Sequence, residues 1–259
     1  IRRNNMLSHS DNRLIKSLGK KKYKKLHKLF VIEGERLVSE AVQSKVVIKQ
    51  IYITDEFIAK PQHNSLMDLI ANNAIITNSI GEKEMRGICD TVSPSGILAL
   101  CALPNPHDIV INTSENWLYL DEIQDPGNLG TLLRSADWFG IKNIAFSENC
   151  VDAFNTKALR GGMGSQFRLN LYEDVSLKDF YKSSHTIIGT FQKGESIHNV
   201  NRKLLMPWIL VIGNEAHGIN EKYTDQIKVK VTIPKLGSGE SLNAAVAGSI
   251  LLHHLTKPL

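Results

Sequence analysis

The sequence lacks long apolar runs and has few cysteines. No stretch of roughly 18 residues is both apolar and uncharged, which excludes a conventional membrane-spanning helix. The first residues, from Ile1 to Met6, lack the apolar segment of a secretory signal, so we expect a cytoplasmic protein that does not act at a membrane. The three cysteines, Cys89, Cys101 and Cys150, form no CxxC pair. We therefore expect buried thiols, with no disulfide framework and no metal site.

The common nucleotide and hydrolase motifs are also absent. The sequence contains no GxxxxGK, no GxGxxG between a strand and a helix, no HExxH and no GxSxG. These absences argue against P-loop hydrolases, dinucleotide-binding dehydrogenases, zinc proteases and α/β-hydrolases.

What is present is enough apolar material for a globular core, together with an uneven distribution of charge. The 259 residues are 42% hydrophobic and 22% charged, which suffices for one large or two small cores. Residues 1–60 contain 14 Lys and Arg against 6 Asp and Glu, a net charge of +8. Because the whole chain carries +5, the remaining residues carry −3.

The densest basic segment contains no acidic residue and has Tyr23 and His27 interleaved. Its basic residues are Arg13, Lys16, Lys20, Lys21, Lys22, Lys24, Lys25 and Lys28. Such a segment suits a polyanion, because each Lys or Arg that neutralises a phosphate releases condensed counterions. The alternative is a solvated, lysine-rich helix face with no partner.

Residues 1–104 have the pattern of a small α/β domain. Strands are predicted at 29–32, 46–53, 74–77 and 96–103. Helices are predicted after Glu33, near 66–70 and at 82–88. The prolines at 104 and 106, among turn-forming residues, predict a linker over 105–114.

Residues 115–259 alternate more clearly between strands and helices. Strands are predicted at 117–123, 143–146, 167–171, 186–190, 208–212 and 228–233. Helices are predicted from Asn128, around Thr156, around Lys178, and from Ser241 to about His254. This alternation predicts a parallel sheet covered on both faces, with ligands at the carboxyl ends of its strands.

Three glycine-containing turns in this second domain carry polar residues. They are LDEIQDPGNLGTLLRSADWFG at 120–140, LVIGNEAHGI at 210–219 and IPKLGSGESLNAAVAGSILLH at 233–253. Each also has a purely structural interpretation. Asn128 and Ser241 are candidate helix caps, and Glu215 is a candidate turn residue. Arg134 is expected on the apolar helix face, directed at a ligand, unless it reaches solvent or pairs with Asp137.

Taken together, in this order and spacing, the three turns resemble the SpoU/TrmH family of RNA ribose 2′-O-methyltransferases in the SPOUT superfamily. The resemblance spans 117 to about 255, and the basic segment leading into LFVIEGERLVSEA is similar to the family's substrate-binding domain. It implies an α/β fold in which a small RNA-binding domain precedes a parallel-sheet methylase domain with a deep carboxyl-terminal trefoil knot. It also implies a homodimer that uses S-adenosylmethionine and acts on structured RNA, with ribosomal RNA favoured and transfer RNA second.

The resemblance also assigns residues to the site. The catalytic and RNA-facing residues it implies are Asn128, Arg134, Glu215, Ser241 and Asn243. The cofactor-binding residues it implies are Gly189, Thr190, Gly213, Asn214, Ile233 and Leu242. The glycines would let backbone groups approach the adenine of the cofactor.

The implied reaction is in-line attack of a ribose 2′-hydroxyl on a sulfonium methyl group. A guanidinium, whose pKa exceeds about 12, is a poor base. We therefore expect Arg134 to hold a phosphate and stabilise the developing alkoxide. Glu215 or solvent then receives the proton, unless Glu215 instead orients Arg134 and Asn128. The rival interpretations are an inactive RNA-binding scaffold and a methylase that acts on a base or a small molecule.

Overall fold

The chain folds as two compact units. The structure, a computed structural model, describes residues 7–105, 109, 111, 114–201 and 205–257. Unit 1 consists of Ile1–Asn105 with Phe154–Phe167, and unit 2 consists of Pro106–Ala153 with Arg168–Leu259. Most of the predicted linker, 105–114, lies outside the described residues.

The helices are α1 (His9–Ser17), α2 (Lys21–His27), α3 (Glu35–Val42), α4 (Asp55–Ile58), α5 (Asn64–Asn72), α6 (Glu82–Ile88), α7 (Pro126–Trp138), α8 (Thr156–Gly162) and α9 (Ala244–Thr256). The strands are β1 (Leu29–Glu33), β2 (Ile48–Ile53), β3 (Thr77–Ser79), β4 (Ile97–Ala102), β5 (Trp117–Leu120), β6 (Asn143–Phe146), β7 (Asn170–Tyr172), β8 (Thr186–Ser196), β9 (Trp208–Ile212) and β10 (Val229–Thr232). Short 3-10 helices lie at Pro61–His63, Ser165–Phe167, Leu177–Phe180, Ile197–Asn199 and Glu221–Gln226.

Unit 1 is built on a mixed sheet with the strand order β1-β4-β2-β3. Strand β4 is antiparallel to both of its neighbours, and β2 is parallel to β3. Apolar residues of these strands and of α1 and α6 form one core cluster, which includes Ile15, Leu18, Val31, Met85 and Leu98. The α/β character predicted for this part of the sequence is confirmed.

Helix α8 belongs to unit 1, although in sequence it lies between β6 and β7. Arg160 Nη1 lies 3.9 Å from the buried carboxylate of Glu33, and Thr156 Oγ1 donates to Asp90 Oδ2 at 2.8 Å. The Phe154 and Phe30 rings are 4.7 Å apart. The helix predicted around residue 156 therefore exists, but the predicted domains, 1–104 and 115–259, differ from the compact units by this segment.

Unit 2 is built on a six-stranded sheet with the order β10-β8-β9-β5-β6-β7. Every strand pair in it is parallel, as the alternation of strands and helices predicts. The central strand β9 is buried along its whole length. Trp117, Tyr119, Phe180 and Ile209 belong to the same core cluster. Because neighbouring parallel strands end at one edge, the loops that follow β5, β8, β9 and β10 meet there.

The structure corrects two predicted helix caps. Helix α7 begins at Pro126, and its N-cap is Asp125, whose carboxylate accepts the N–H of Asn128 at 2.8 Å. Asn128 is therefore inside the helix and does not cap it. Helix α9 is capped by Asn243, whose Oδ1 accepts N–H groups at 2.9 and 3.2 Å. The cap predicted at Ser241 is wrong for the opposite reason, because this helix starts later than predicted.

Candidate functional site

Three polar side chains from distant parts of the sequence meet in unit 2. The Asn128 amide Nδ2 donates to Oε1 of Glu215 at 2.8 Å, and Nδ2 of Asn243 donates to Oδ1 of Asn128 at 2.7 Å. Asn128 uses its donor and its acceptor at once, so these two contacts fix the orientation of its amide. We call these three residues the polar bridge. All of them belong to the catalytic set predicted from the sequence.

The polar bridge lies at the carboxyl edge of the parallel sheet. Asn128 is in α7, which follows β5, and Glu215 follows β9, the strand paired with β5. Asn243 is 115 residues from Asn128 in the sequence and stands directly before α9. In open parallel sheets, ligands bind at this edge, so the polar bridge lies where a ligand is expected.

A tight turn holds Glu215. The backbone groups of Asn214 and Gly218 are joined in both directions at 2.9 Å, and Asn214 Oδ1 accepts the N–H of Ala216 at 2.8 Å. A Cβ atom on Gly213 would lie 2.2 Å from the carbonyl carbon of Gly218. The turn itself thus requires the glycine at 213, whereas the sequence argument gave ligand approach as the reason.

Sequence reasoning missed two acidic residues that hold this turn. Asp121 Oδ2 accepts the backbone N–H of Asn220 at 2.7 Å, and the carbonyl of Glu122 accepts Nδ2 of Asn214 at 2.8 Å. Glu122 has a φ of 54°, in the left-handed region, and its carboxylate accepts Nδ2 of Asn220 at 3.2 Å. The signal that could have revealed them is their position: Asp121 and Glu122 are an acidic pair directly after the apolar strand β5.

Asp121 is fully buried. Burial disfavours the charged carboxylate and raises the pKa of Asp121 above its usual range, while the N–H of Asn220 acts in the opposite direction. A buried carboxyl group thus connects the end of β5 with the segment that follows the turn.

The residues predicted to bind the cofactor lie on three adjacent strands and their continuations. Gly189 and Thr190 are in β8, where the pairing with β10 jumps from Gly189 opposite Lys230 to Glu195 opposite Val231. Residues 190–194 therefore form a bulge between these pairs, and the Gln192 carbonyl accepts Oγ1 of Thr232 in β10 at 3.2 Å. Thr190 Oγ1 donates to the Val211 carbonyl at 3.3 Å. A Cβ atom on Gly189 would lie 2.8 Å from side-chain carbons of Ile227 and Phe191, so packing requires this glycine.

The other predicted cofactor residues follow β9 and β10. Gly213 is buried and Asn214 is half-buried directly after β9, and Ile233 is half-buried directly after β10. Leu242 is 51% exposed, two residues before α9 begins.

Arg134 and Ser241 are exposed, and no hydrogen bond joins either to the polar bridge among the described residues. Leu132 and Leu133 face the core, so the prediction that Arg134 shares their face is wrong. The alternative pairing with Asp137 is also wrong, because Arg168 Nη2 occupies that carboxylate at 2.8 Å. Arg134 instead lines a surface groove between α7 and α9.

The basic segment forms α1, α2 and the residues between and after them in unit 1. Its exposed members are Arg13, Lys16, Lys20, Lys22, Lys25 and Lys28. Lys21 is half-buried. Lys24 is only 3% exposed, which contradicts its place in a surface stripe.

Comparison with known proteins agrees with this geometry. Residues 115–253 match the SpoU rRNA Methylase family, and residues 12–99 match the MRM3-like substrate binding domain. The chain belongs to the SpoU rRNA methylase family. The family resemblance drawn from the three turns is thereby confirmed, and the second match covers the basic segment and the sheet of unit 1 as far as the start of β4.

Individual family members are similar over nearly the whole chain. The 23S rRNA (guanosine(2553)-2′-O)-methyltransferase RlmP of Bacillus subtilis is 31% identical over 247 residues, which cover 91% of this chain and 94% of that protein. A TrmH-family structure from Porphyromonas gingivalis has a TM-score of 0.81 at 28% identity, covering 96% of this chain and 98% of that one. An AdoMet-bound rRNA methyltransferase from Sinorhizobium meliloti has a TM-score of 0.83 at 25% identity, covering 98% and 97%.

Two further observations concern ligands and membranes. Among the described residues, no group of three or more His, Cys, Asp or Glu side chains has the arrangement of a metal site. No helix in the described ranges has the length and apolar character needed to cross a bilayer.

Proposed function

We propose that this protein is an S-adenosylmethionine-dependent RNA ribose 2′-O-methyltransferase that acts on ribosomal RNA. The observation that carries the proposal is the polar bridge, which joins Asn128, Glu215 and Asn243 at the carboxyl edge of a parallel sheet. The substrate class is supported by the name of the Bacillus subtilis relative, which acts on the ribose of a 23S rRNA guanosine. Transfer RNA stays the second candidate substrate.

The edge formed by β8, β9 and β10 fits the cofactor. The bulge of β8 at 190–194 and the turn after Gly213 supply backbone polar groups, and Ile233 and Leu242, in the segments that follow β10, supply apolar side chains. This combination suits a ligand that has both an adenine ring and polar groups. When bound, S-adenosylmethionine supplies the methyl group.

The residues of the polar bridge have separate roles. Asn128 accepts from Asn243 and donates to Glu215, so it fixes the carboxylate of Glu215 beside the reacting hydroxyl. Glu215 is exposed and receives the proton of the 2′-hydroxyl. Arg134 holds a phosphate of the RNA and stabilises negative charge on the attacking oxygen. Positioning of the two reactants supplies most of the acceleration.

We infer further that the working protein is a homodimer joined through α7 and α9. Trp138 is 83% exposed, and Val246 and Ile250 are 47% and 39% exposed. The groove beside them has a volume of about 610 Å³ and is lined by Thr131, Arg134, Ser135, Trp138, Phe139, Ser249, Ile250 and His253. An apolar surface of this kind is typical of an interface. Arg134 lies in this groove, so the second copy would complete the site that contains it.

The dimer is tested by Trp138→Glu in sedimentation velocity, with Tyr181→Glu as the matched control. Tyr181 is also strongly exposed, at 76%, but lies outside the groove. We expect Trp138→Glu to yield monomers and Tyr181→Glu to remain dimeric. A wild-type protein that is monomeric at micromolar concentration contradicts the proposal.

The trefoil knot implied by the family resemblance also stays a proposal. Its support is the course of the chain after β10. Strand β10 is at one edge of the sheet, yet α9 packs against α7 and β9. The segment at 233–243 must therefore pass back over the edge of β8 and β9.

The activity is tested by transfer of a labelled methyl group from S-adenosylmethionine into unmodified ribosomal and transfer RNA. Reverse-transcription stops at low nucleotide concentration then locate the modified ribose. We expect label at one ribose of ribosomal RNA and a loss of about 100- to 1,000-fold for Arg134→Ala. Arg168→Ala is the control, because this exposed arginine pairs with Asp137. RNA binding without any label supports the inactive scaffold instead.

A further inference from the structure

Two aromatic rings of α2 are in contact at the surface of unit 1. Tyr23 and His27 are one helical turn apart, their ring centroids are 6.4 Å apart, and their planes differ by only 20°. Tyr23 is half-buried and His27 is exposed. The two ring planes are thus nearly parallel, and both rings reach the surface of a short helix.

The ring pair lies outside the core cluster of unit 1 that contains Ile15 and Leu98. That cluster uses residues of α1, β1 and α6 and contains neither ring. Leu26, in the same helix, is 66% exposed. The helical period places Lys20, three residues before Tyr23, and Leu26, three residues after it, beside the ring pair, and Lys20 is exposed. The surface therefore combines flat apolar rings with positive charge.

This combination has a specific chemical complement. Bases that are not paired expose their π faces, and they stack on aromatic side chains while nearby cationic groups hold the adjoining phosphates. A continuous duplex offers no such face along its length. Lys22, Lys25 and Lys28 are exposed close to the rings in sequence.

We propose that Tyr23 and His27 form a stacking platform for an unpaired base of the substrate RNA. The proposal rests on the proposed function, because it takes RNA as the partner of unit 1. It adds the chemical class of the contact, an unpaired nucleobase in a loop or bulge. The exposed lysines hold the phosphates on either side of that base.

The test measures binding of the full chain to two RNAs of equal length. One is a hairpin whose loop contains 2-aminopurine, and the other is a blunt duplex. We expect wild-type protein to bind the hairpin more tightly and to quench the 2-aminopurine fluorescence. Tyr23→Ala should weaken hairpin binding about 5- to 100-fold with little change for the duplex, and Tyr23→Phe should keep the affinity.

The salt dependence separates stacking from charge. Tyr23→Ala removes no charge, so its plot of log affinity against log salt should run parallel to that of wild type. Lys22→Ala should make the slope shallower. His27→Ala serves as the second platform variant, since its exposed side chain leaves the fold intact, and we expect a smaller loss in the same direction. Equal losses for hairpin and duplex, or unchanged hairpin binding in both Tyr23→Ala and His27→Ala, overturn the platform.

Methyl transfer measured in parallel keeps the two proposals distinguishable. Transfer by wild type with no effect of the platform variants on hairpin binding contradicts the platform alone. Selective hairpin binding without any methyl transfer contradicts the proposed function and leaves the platform in place.

Discussion

The basic surface of unit 1 and the polar bridge of unit 2 are built in opposite ways. The basic surface consists of residues that follow one another over 13–28, on two short helices and the residues beside them. The polar bridge consists of three side chains separated by up to 115 residues, and one amide connects them. The first is a local property of the sequence, whereas the second exists only after the parallel sheet has formed.

This difference predicts how each region responds to mutation. Exposed lysines act through charge, and their contributions are small, additive and weakened by salt. Asn128 has two defined partners, and removing its side chain leaves both without their hydrogen bonds. Single substitutions in the polar bridge should therefore have large effects, and single substitutions of exposed lysines in unit 1 should have small effects.

Within the polar bridge and the turn beside it, the largest effect is expected for Asn128→Ala. The substitution frees both Glu215 and Asn243, so the carboxylate loses its fixed position. We expect methyl transfer under saturating RNA to fall about 100-fold or more, because small displacements of positioned groups have effects of that size. Single-turnover kinetics measure the change.

The control for Asn128→Ala is Asn170→Ala, at the opposite edge of the same sheet. Asn170 Nδ2 donates to Asn143 Oδ1 at 2.9 Å, at the amino ends of β7 and β6. Both variants lose an amide hydrogen bond of similar length. If Asn170→Ala lowers activity as much as Asn128→Ala does, the loss reflects stability and not a role at the carboxyl edge.

The next largest effect is expected for Gly213→Ala. The added methyl group would overlap the backbone at Gly218, so the turn that carries Glu215 must shift. We expect a destabilisation of about 1–3 kcal/mol in urea unfolding, with weaker binding of S-adenosylmethionine in calorimetry. Gly87→Ala in α6 is the control, since its new Cβ would meet nothing within 4 Å. That change should stabilise unit 1 by about 0.4–1 kcal/mol.

The buried carboxyl of Asp121 gives a pH-dependent prediction. Its pKa is raised by burial, so between the unfolded and the folded pKa the folded protein binds more protons than the unfolded protein. This group therefore lowers the free energy of unfolding as the pH rises through that window. Asp121→Asn keeps an oxygen that accepts from the N–H of Asn220 and removes the charge. In urea unfolding at several mildly acidic pH values, we expect the free energy of unfolding of Asp121→Asn to lack the decrease that this carboxyl group causes in wild type. Parallel curves for the two proteins would contradict a raised pKa.

Local features could be predicted from the sequence, whereas contacts between residues distant in the sequence could not. Strands β6 and β9 have the predicted bounds, because each is a short, mainly apolar run bounded by polar or turn-forming residues. The cap at Asn128 was wrong although Asp125 and Pro126 were visible, a pair that together marks a helix start three residues earlier. The start of α7 is thus encoded locally, in the residues at the start itself.

Contacts over long distances in the sequence are a different problem. Helix α8 belongs to unit 1 because Arg160 lies beside Glu33 and Thr156 donates to Asp90. No local pattern around α8 shows those partners. The three residues of the polar bridge were grouped through the family resemblance alone. They come together only because β5 and β9 are neighbours in the sheet and α9 packs against α7, and no local pattern shows those contacts. The hydrogen bond between Asp121 and Asn220 was not predicted, because Asn220 contributes only its backbone N–H, which leaves no signal in the sequence.

The smallest effects are expected for single lysines of unit 1, and burial divides them. Lys22 is exposed, and Lys24, two residues later, is 3% exposed. Lys22→Ala should change the free energy of unfolding by less than about 0.5 kcal/mol and reduce the salt slope of RNA binding by about 0.7–0.9. Lys24→Ala should instead destabilise the protein and leave the slope unchanged, because a buried ammonium releases no counterion from a phosphate. Urea unfolding and RNA titrations at several salt concentrations measure both quantities. A reduced slope for Lys24→Ala with unchanged stability would return Lys24 to the binding surface and remove burial as the criterion that separates these lysines.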